Sequence, residues 1–138
     1  MTDTYPTISG VVLDTTDARA LAEFYRALFG LEYREGDAPP AAGEPDPRGE
    51  DWLVLRGEGF SLGFQQVDDL ARSTWPAPDV PQQLHLDTTV GSADELARQR
   101  DRALALGATV LHDRSDHPDE PLYVFADPDG HPFCIFVA

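Results

Sequence analysis

Cysteine occurs once in the 138 residues, at Cys134. A single thiol excludes an intramolecular disulfide framework, a multi-cysteine zinc or iron–sulfur site and paired-cysteine redox chemistry. Lysine is absent, so the ten basic residues are all arginine, set against 25 acidic ones for a formal charge of −15. Nucleic-acid binding needs a basic surface that releases counterions from phosphates, so nucleic acid is not an expected partner. The acidity suits a solvated, soluble surface, and a second reading is attraction of a cationic ligand. Unbroken apolar runs are short, far below the ~20 residues of a membrane helix, and no signal-peptide core is available. A membrane is therefore not an expected partner, and the cytoplasm is the expected compartment. Neither a G-x-S-x-G elbow nor a phosphate loop occurs, since the glycines of RGEGF (56–60) precede no helix.

What remains is a globular mixture, 41% hydrophobic and 25% charged, long enough for one core without covalent staples. Residues 8–16, ISGVVLDTT, read as a buried strand. From Asp17 to Phe29, Leu21, Phe24, Tyr25 and Leu28 fall at i, i+3, i+4 and i+7, one face of a helix that Gly30 stops. A short strand is expected over 31–35. Residues 36–51 carry four prolines and three glycines and read as a long mobile connection, a candidate lid. Two strands joined by a tight hairpin come next, over 52–67, then a linker over 68–81.

The pattern then repeats. QLHLDTTV (83–90) reads as a strand, and Ser92 with Glu95 is a capping-box signature for a helix that ends at Gly107. Strands are expected over 108–112, 122–126 and 132–137, the last two joined by the DPDG turn. The order is βαβββ, linker, βαβββ, and LDTT occurs at 13–16 and again at 86–89. The chain reads as an internal duplication. Module one spans about 7–67 and module two about 82–138, together forming a single α+β domain.

The segments VVLDTTDARALAEFYRALFGLEY (11–33), QLHLDTTV (83–90), LGAT (106–109) and FADPDGHPF (125–133) resemble the vicinal oxygen chelate superfamily, in its glyoxalase-like subgroup. That superfamily includes glyoxalase I, extradiol dioxygenases and the fosfomycin- and bleomycin-resistance proteins. The resemblance implies tandem βαβββ modules that curl into a half-barrel sheet around a cavity, commonly within a homodimer. In metal-dependent members a divalent metal sits on side chains from the first and last strand of each module. Here those positions fall on Gly10 or Val12 and near Gly63 in module one, and on His85 and Cys134 in module two. One good ligand in four makes no site, so no metal and no cofactor are expected, with Asp14 and Asp87 as the residues of a nonstandard alternative.

Strand parity aims His85 at the presumed cavity as a ligand contact or general acid/base, against a reading as a hydrogen-bonded relic. Cys134 reads as a core thiol rather than a nucleophile. His112 and His117 read as surface residues, and His131 as a residue that either faces solvent or braces its turn. Trp52, Phe64 and Trp75 are expected around an apolar pocket with Gln65 and His85 at its floor and the 36–51 loop over its entrance. Phe60 reads as core. Two functions are compatible with these residues. The first is metal-free binding of a small hydrophobic or cationic molecule. The second is a glyoxalase-like lyase or isomerase, or another enzyme of the superfamily, using an atypical metal site or His85 as acid/base.

Overall fold

In a computed structural model, which describes residues 4–138, ten elements succeed one another in the duplicated order. Module one runs β1 (Val11–Thr15), α1 (Ala18–Phe29), β2 (Glu32–Tyr33), β3 (Trp52–Gly57) and β4 (Phe60–Gln66). Module two runs β5 (Leu86–Val90), α2 (Ala93–Leu106), β6 (Thr109–Arg114), β7 (Leu122–Ala126) and β8 (Pro132–Val137). The chain divides into two units, one ending at Asp68 and the next beginning at Asp69. Among the described residues no helix is long and apolar enough to cross a membrane.

Each module builds its own open four-stranded sheet, ordered β1-β4-β3-β2 in the first and β5-β8-β7-β6 in the second. The first strand of each pairs parallel with the last, Leu13 opposite Phe64 and Asp87 opposite Cys134, while the other pairings are antiparallel. A parallel pair needs a crossover connection, which the helix supplies while covering one sheet face.

The helices stand where their caps put them. Asp17 Oδ1 accepts from the Ala20 amide at 3.1 Å, and Ser92 Oγ from the Glu95 amide at 3.1 Å, each satisfying an amide that the first turn leaves open. At the end of α2 the Ala108 amide donates to the Ala103 carbonyl and Gly107 to Leu104, with Gly107 at φ 114°. This is a Schellman closure, which a residue with a Cβ adopts only with strain.

The periodic face of α1 buries Leu21, Phe24, Tyr25 and Leu28. The Tyr25 ring stacks on Phe64 with centroids 5.8 Å apart. In module two the helix-side face holds Phe125 stacked on Phe133 at 5.1 Å, with Tyr123 beside Phe125. Each fully buried aromatic or leucine contributes about 1.5–3 kcal/mol, so these faces hold the modules together.

Four boundaries differ from the sequence reading, one of them that of β5, which begins at Leu86 rather than Gln83. β1 begins at Val11 rather than Ile8, which is 92% exposed and pairs with no strand. β2 is two residues long. β6 extends to Arg114, two residues beyond the expected end. The 36–51 segment, expected to be a mobile connection, is fastened to its own module by side chains distant in sequence. Arg19 holds Asp46 in a two-point pair at 2.8 and 2.9 Å, which keeps the Asp46 carboxyl below its ordinary range. Asp37, fully buried, accepts from Arg48 at 2.6 Å and from the Val54 amide at 2.9 Å, and lies 3.0 Å from Arg34.

Candidate functional site

With the helices on one side, the opposite face of each sheet is open. In module two that face carries Asp87, Cys134, Leu122 and Val124, since Asp87 lies opposite Cys134 and Cys134 opposite Val124. β6 joins them through an irregularity: Val110 pairs with Phe125, but His112 pairs with Val124, so Leu111 is extra. A bulge of one residue flips the parity of the strand beyond it. It turns His112 and Arg114 to the open face, whereas Val110 is aligned with the helix-side Phe125.

A cavity of about 510 Å³ sits on this face, with walls of Leu122 and Val124 from the sheet and of Trp75 and Pro76 from the segment before β5. Its polar groups are Gln82, His85, His112, Arg114 and Cys134. The Trp75–Pro76 peptide is cis. The segment that carries it is a built loop rather than a slack linker. The Thr74 and Val80 amides donate to the Val80 carbonyl and Thr74 Oγ1, both at 2.8 Å, and Trp75 donates to Ser73 Oγ at 3.2 Å. Arg72 ties the loop to the DPDG turn by donating to the Pro128 carbonyl at 2.8 Å.

That turn is organised by Asp127, which has no exposed surface and accepts from the Asp129 and His131 amides at 2.8 and 3.1 Å. His131 Nδ1 lies 2.8 Å from its other oxygen, so of the two readings its sequence position allowed, His131 braces the turn. Gln82 is different in kind. Its Oε1 is buried and has no hydrogen-bond partner among the described residues. An orphaned buried acceptor costs about 1–3 kcal/mol, so Gln82 is held there at the expense of stability.

His85 Nε2 lies 3.2 Å from Asp87 Oδ1, with side chains 42% and 60% exposed. Together with the Cys134 thiol their donor atoms lie within 4.8 Å of one another. Burial, and an Asp87 carboxylate that accepts the thiol proton, push the half-buried Cys134 up to about 11. At pH 7.5 its thiolate fraction, and hence its alkylation rate, should fall about a hundredfold below an ordinary cysteine, two pKa units being a factor of about 100. Iodoacetamide labelling followed by mass spectrometry reads this residue alone. Labelling at the rate of a free thiol shows instead a sulfur of ordinary acidity.

The four-position metal set does not fit this chain. A Cβ on Gly10 would lie 2.1 Å from the Ser61 carbonyl oxygen, so the backbone itself leaves no room for a side chain. A Cβ on Gly63 would meet Val12 Cγ2 at 3.1 Å and the Trp52 ring at 3.4 Å, so that space is already packed. Val12 has only a hydrocarbon to offer. In module two His85, Asp87 and Cys134 form a mixed nitrogen, oxygen and sulfur set, and the sulfur must first lose a tightly held proton.

The residues expected around one pocket divide between the two modules. Trp75 and His85 line the module-two cavity. Trp52 lines a cavity of about 300 Å³ on the open face of module one, with Gly63, Arg34 and Arg56, and Gln65 is exposed directly opposite Trp52 in the ladder. Phe64 is on the helix side, buried against Tyr25, because neighbouring residues of a strand face opposite ways and it stands opposite Leu53 rather than Trp52. Phe60, expected in the core, is 39% exposed at the hairpin. Gln82, Arg114, Leu122 and Val124 were not singled out by sequence, and His112, read as a surface residue, is exposed and also lines the cavity. The alternation of Leu122 and Val124 along β7 was a readable signal, and the bulge before His112 was not.

The sequence pattern of the glyoxalase-like domain family matches residues 10–136. No curated protein sequence matches the chain significantly. Among solved structures, a glyoxalase/bleomycin resistance protein/dioxygenase family enzyme from Burkholderia phytofirmans superposes with a TM-score of 0.69 at 19% identity, covering 94% of this chain and 96% of that one. The fosfomycin resistance protein of Listeria monocytogenes, a mutant in complex with Mn(II) and a dihydroxypropylphosphonic acid, gives 0.70 at 18% identity over 98% and 94%. Lactoylglutathione lyase from Agrobacterium tumefaciens gives 0.60 at 19% over 99% and 96%. At these identities the likeness is one of fold.

Proposed function

The chain belongs to the glyoxalase-like domain family of the vicinal oxygen chelate superfamily, and from that premise we propose that it binds a small apolar molecule in the module-two cavity without the metal that other members use. The observation that carries the reading is the cavity itself. It is an apolar space with a few placed polar groups, among them His85, His112 and Arg114, which is how small-molecule sites are built. Gly10, Val12 and Gly63 support the metal-free half of the proposal. Of the two ligand classes expected from sequence, the hydrophobic one has the better support, because Asp87, the nearby carboxylate, is engaged by His85 and Cys134. The homodimer and the cytoplasmic setting remain part of the same reading.

A screen of small molecules by Trp75 fluorescence, in protein carrying Trp52→Phe, identifies a ligand. Calorimetry should then show that Trp75→Ala weakens it by about 1–3 kcal/mol, the worth of one large apolar contact. Val124→Phe, which fills the cavity, should weaken it at least as much. A ligand that binds both variants as tightly as the parent places the pocket elsewhere. The His85, Asp87 and Cys134 cluster favours a second reading, an enzyme acting through an atypical metal site or through His85 as acid/base. Loss of turnover of the same ligand in His85→Ala, with binding intact, selects that reading.

A further inference from the structure

In a chain with 25 acidic residues and ten arginines, an arginine without an acceptor is uncommon, and where it stands is informative. Six arginines are in ion pairs with carboxylates. Arg72 and Arg102 donate to carbonyl and amide oxygens. For the remaining two, Arg56 and Arg114, the described residues supply no acceptor. Both line cavities, Arg56 in module one and Arg114 in module two.

Arg114 has the more telling surroundings. Its neighbour Asp113 points to the other face of β6 and is engaged by the amide and hydroxyl of Ser115 at 2.9 and 2.6 Å. Asp87, a carboxylate in contact with the lining residues His85 and Cys134, is engaged by both. Among the described residues no carboxylate lines the cavity, whereas Arg114, His112 and His85 all do. His112 and Arg114 are two residues apart on one strand face, about 7 Å along the chain, within reach of one planar anion.

We propose that the ligand of this cavity is an organic acid: an apolar body held by Trp75, Leu122 and Val124, ending in a carboxylate that Arg114 takes up. The inference rests on the small-molecule reading of the cavity and replaces its cationic alternative. The chain's net charge of −15 does not oppose it at contact range, because charges farther than about 8–10 Å are largely screened at physiological salt, whereas a guanidinium–carboxylate pair acts directly.

Three probes sharing one apolar body separate the possibilities: para-tert-butylbenzoate, its methyl ester and para-tert-butylbenzylamine, each titrated by calorimetry at low salt. The acid should bind about fivefold or more tighter than the ester, and the amine more weakly than either. Arg114→Gln should bring the acid to the level of the ester and leave the ester unchanged. Arg98→Gln, which removes an equal charge from α2, should leave the preference intact. Equal binding of acid and ester in the parent, or a preference that survives Arg114→Gln, overturns the acid assignment and leaves the cavity reading standing. Absence of binding by all three overturns the cavity reading and this inference with it.

Discussion

Replacing Asp127 by alanine should lower the stability of the protein by about 3 kcal/mol, a fall in midpoint temperature of about 10 °C. The residue has no exposed surface, and its carboxylate carries two amide bonds and the His131 ring contact. A hydrogen bond to a charged group is worth about 1.5–3 kcal/mol, and alanine leaves both amides and the imidazole without that acceptor. The Asp127→Asn variant keeps an acceptor oxygen and should lose about a third as much. The damage should also reach the cavity. Arg72, which anchors the Trp75 loop, donates to the Pro128 carbonyl in the same turn. Thermal unfolding followed by circular dichroism measures the first effect, and the Trp75 emission of Trp52→Phe protein the second. A variant within about 1 °C of the parent shows that the turn holds without its carboxylate.

Asp37→Ala should cost about 2–3 kcal/mol through a different route. Asp37 is fully buried and joins Arg48, Arg34 and the Val54 amide. The two arginine side chains are 55% and 34% exposed, so water compensates much of their loss, and the buried Val54 amide carries the larger share. Because the same residue fastens the 36–51 segment, proteolysis of the native protein should shift to that segment in the variant. A parent already cleaved there as readily as the variant contradicts the account of a fastened loop.

The duplication, the element order and both helix caps were legible because each is written locally. LDTT repeats, Asp17 and Ser92 precede apolar periods, and Gly30 and Gly107 come directly after them. The fastening of the 36–51 segment was hidden for the opposite reason. Its prolines and glycines are local signals of a loop, but whether a loop moves depends on partners such as Arg19 and Val54, which its own composition does not reveal. Strand parity placed His85 at the module-two cavity and Gln65 on the face of Trp52, and it failed at Phe64. Phe64 and Gln65 are adjacent on β4 and cannot share a face, so assigning both to one pocket was an error open to correction from sequence. The position of His112 depends on the bulge at Leu111, which no residue pattern announces.

The central claim is a cavity in module two that binds its ligand without metal. Its most direct test is the affinity of a ligand found with the Trp75 reporter, measured before and after exhaustive dialysis against EDTA, with the metal content of both samples determined. The account predicts the same dissociation constant in both samples, and no divalent ion in proportion to the protein in either. Binding that disappears on dialysis and returns on addition of zinc or manganese, in protein with His85 intact but not in His85→Ala, would contradict it.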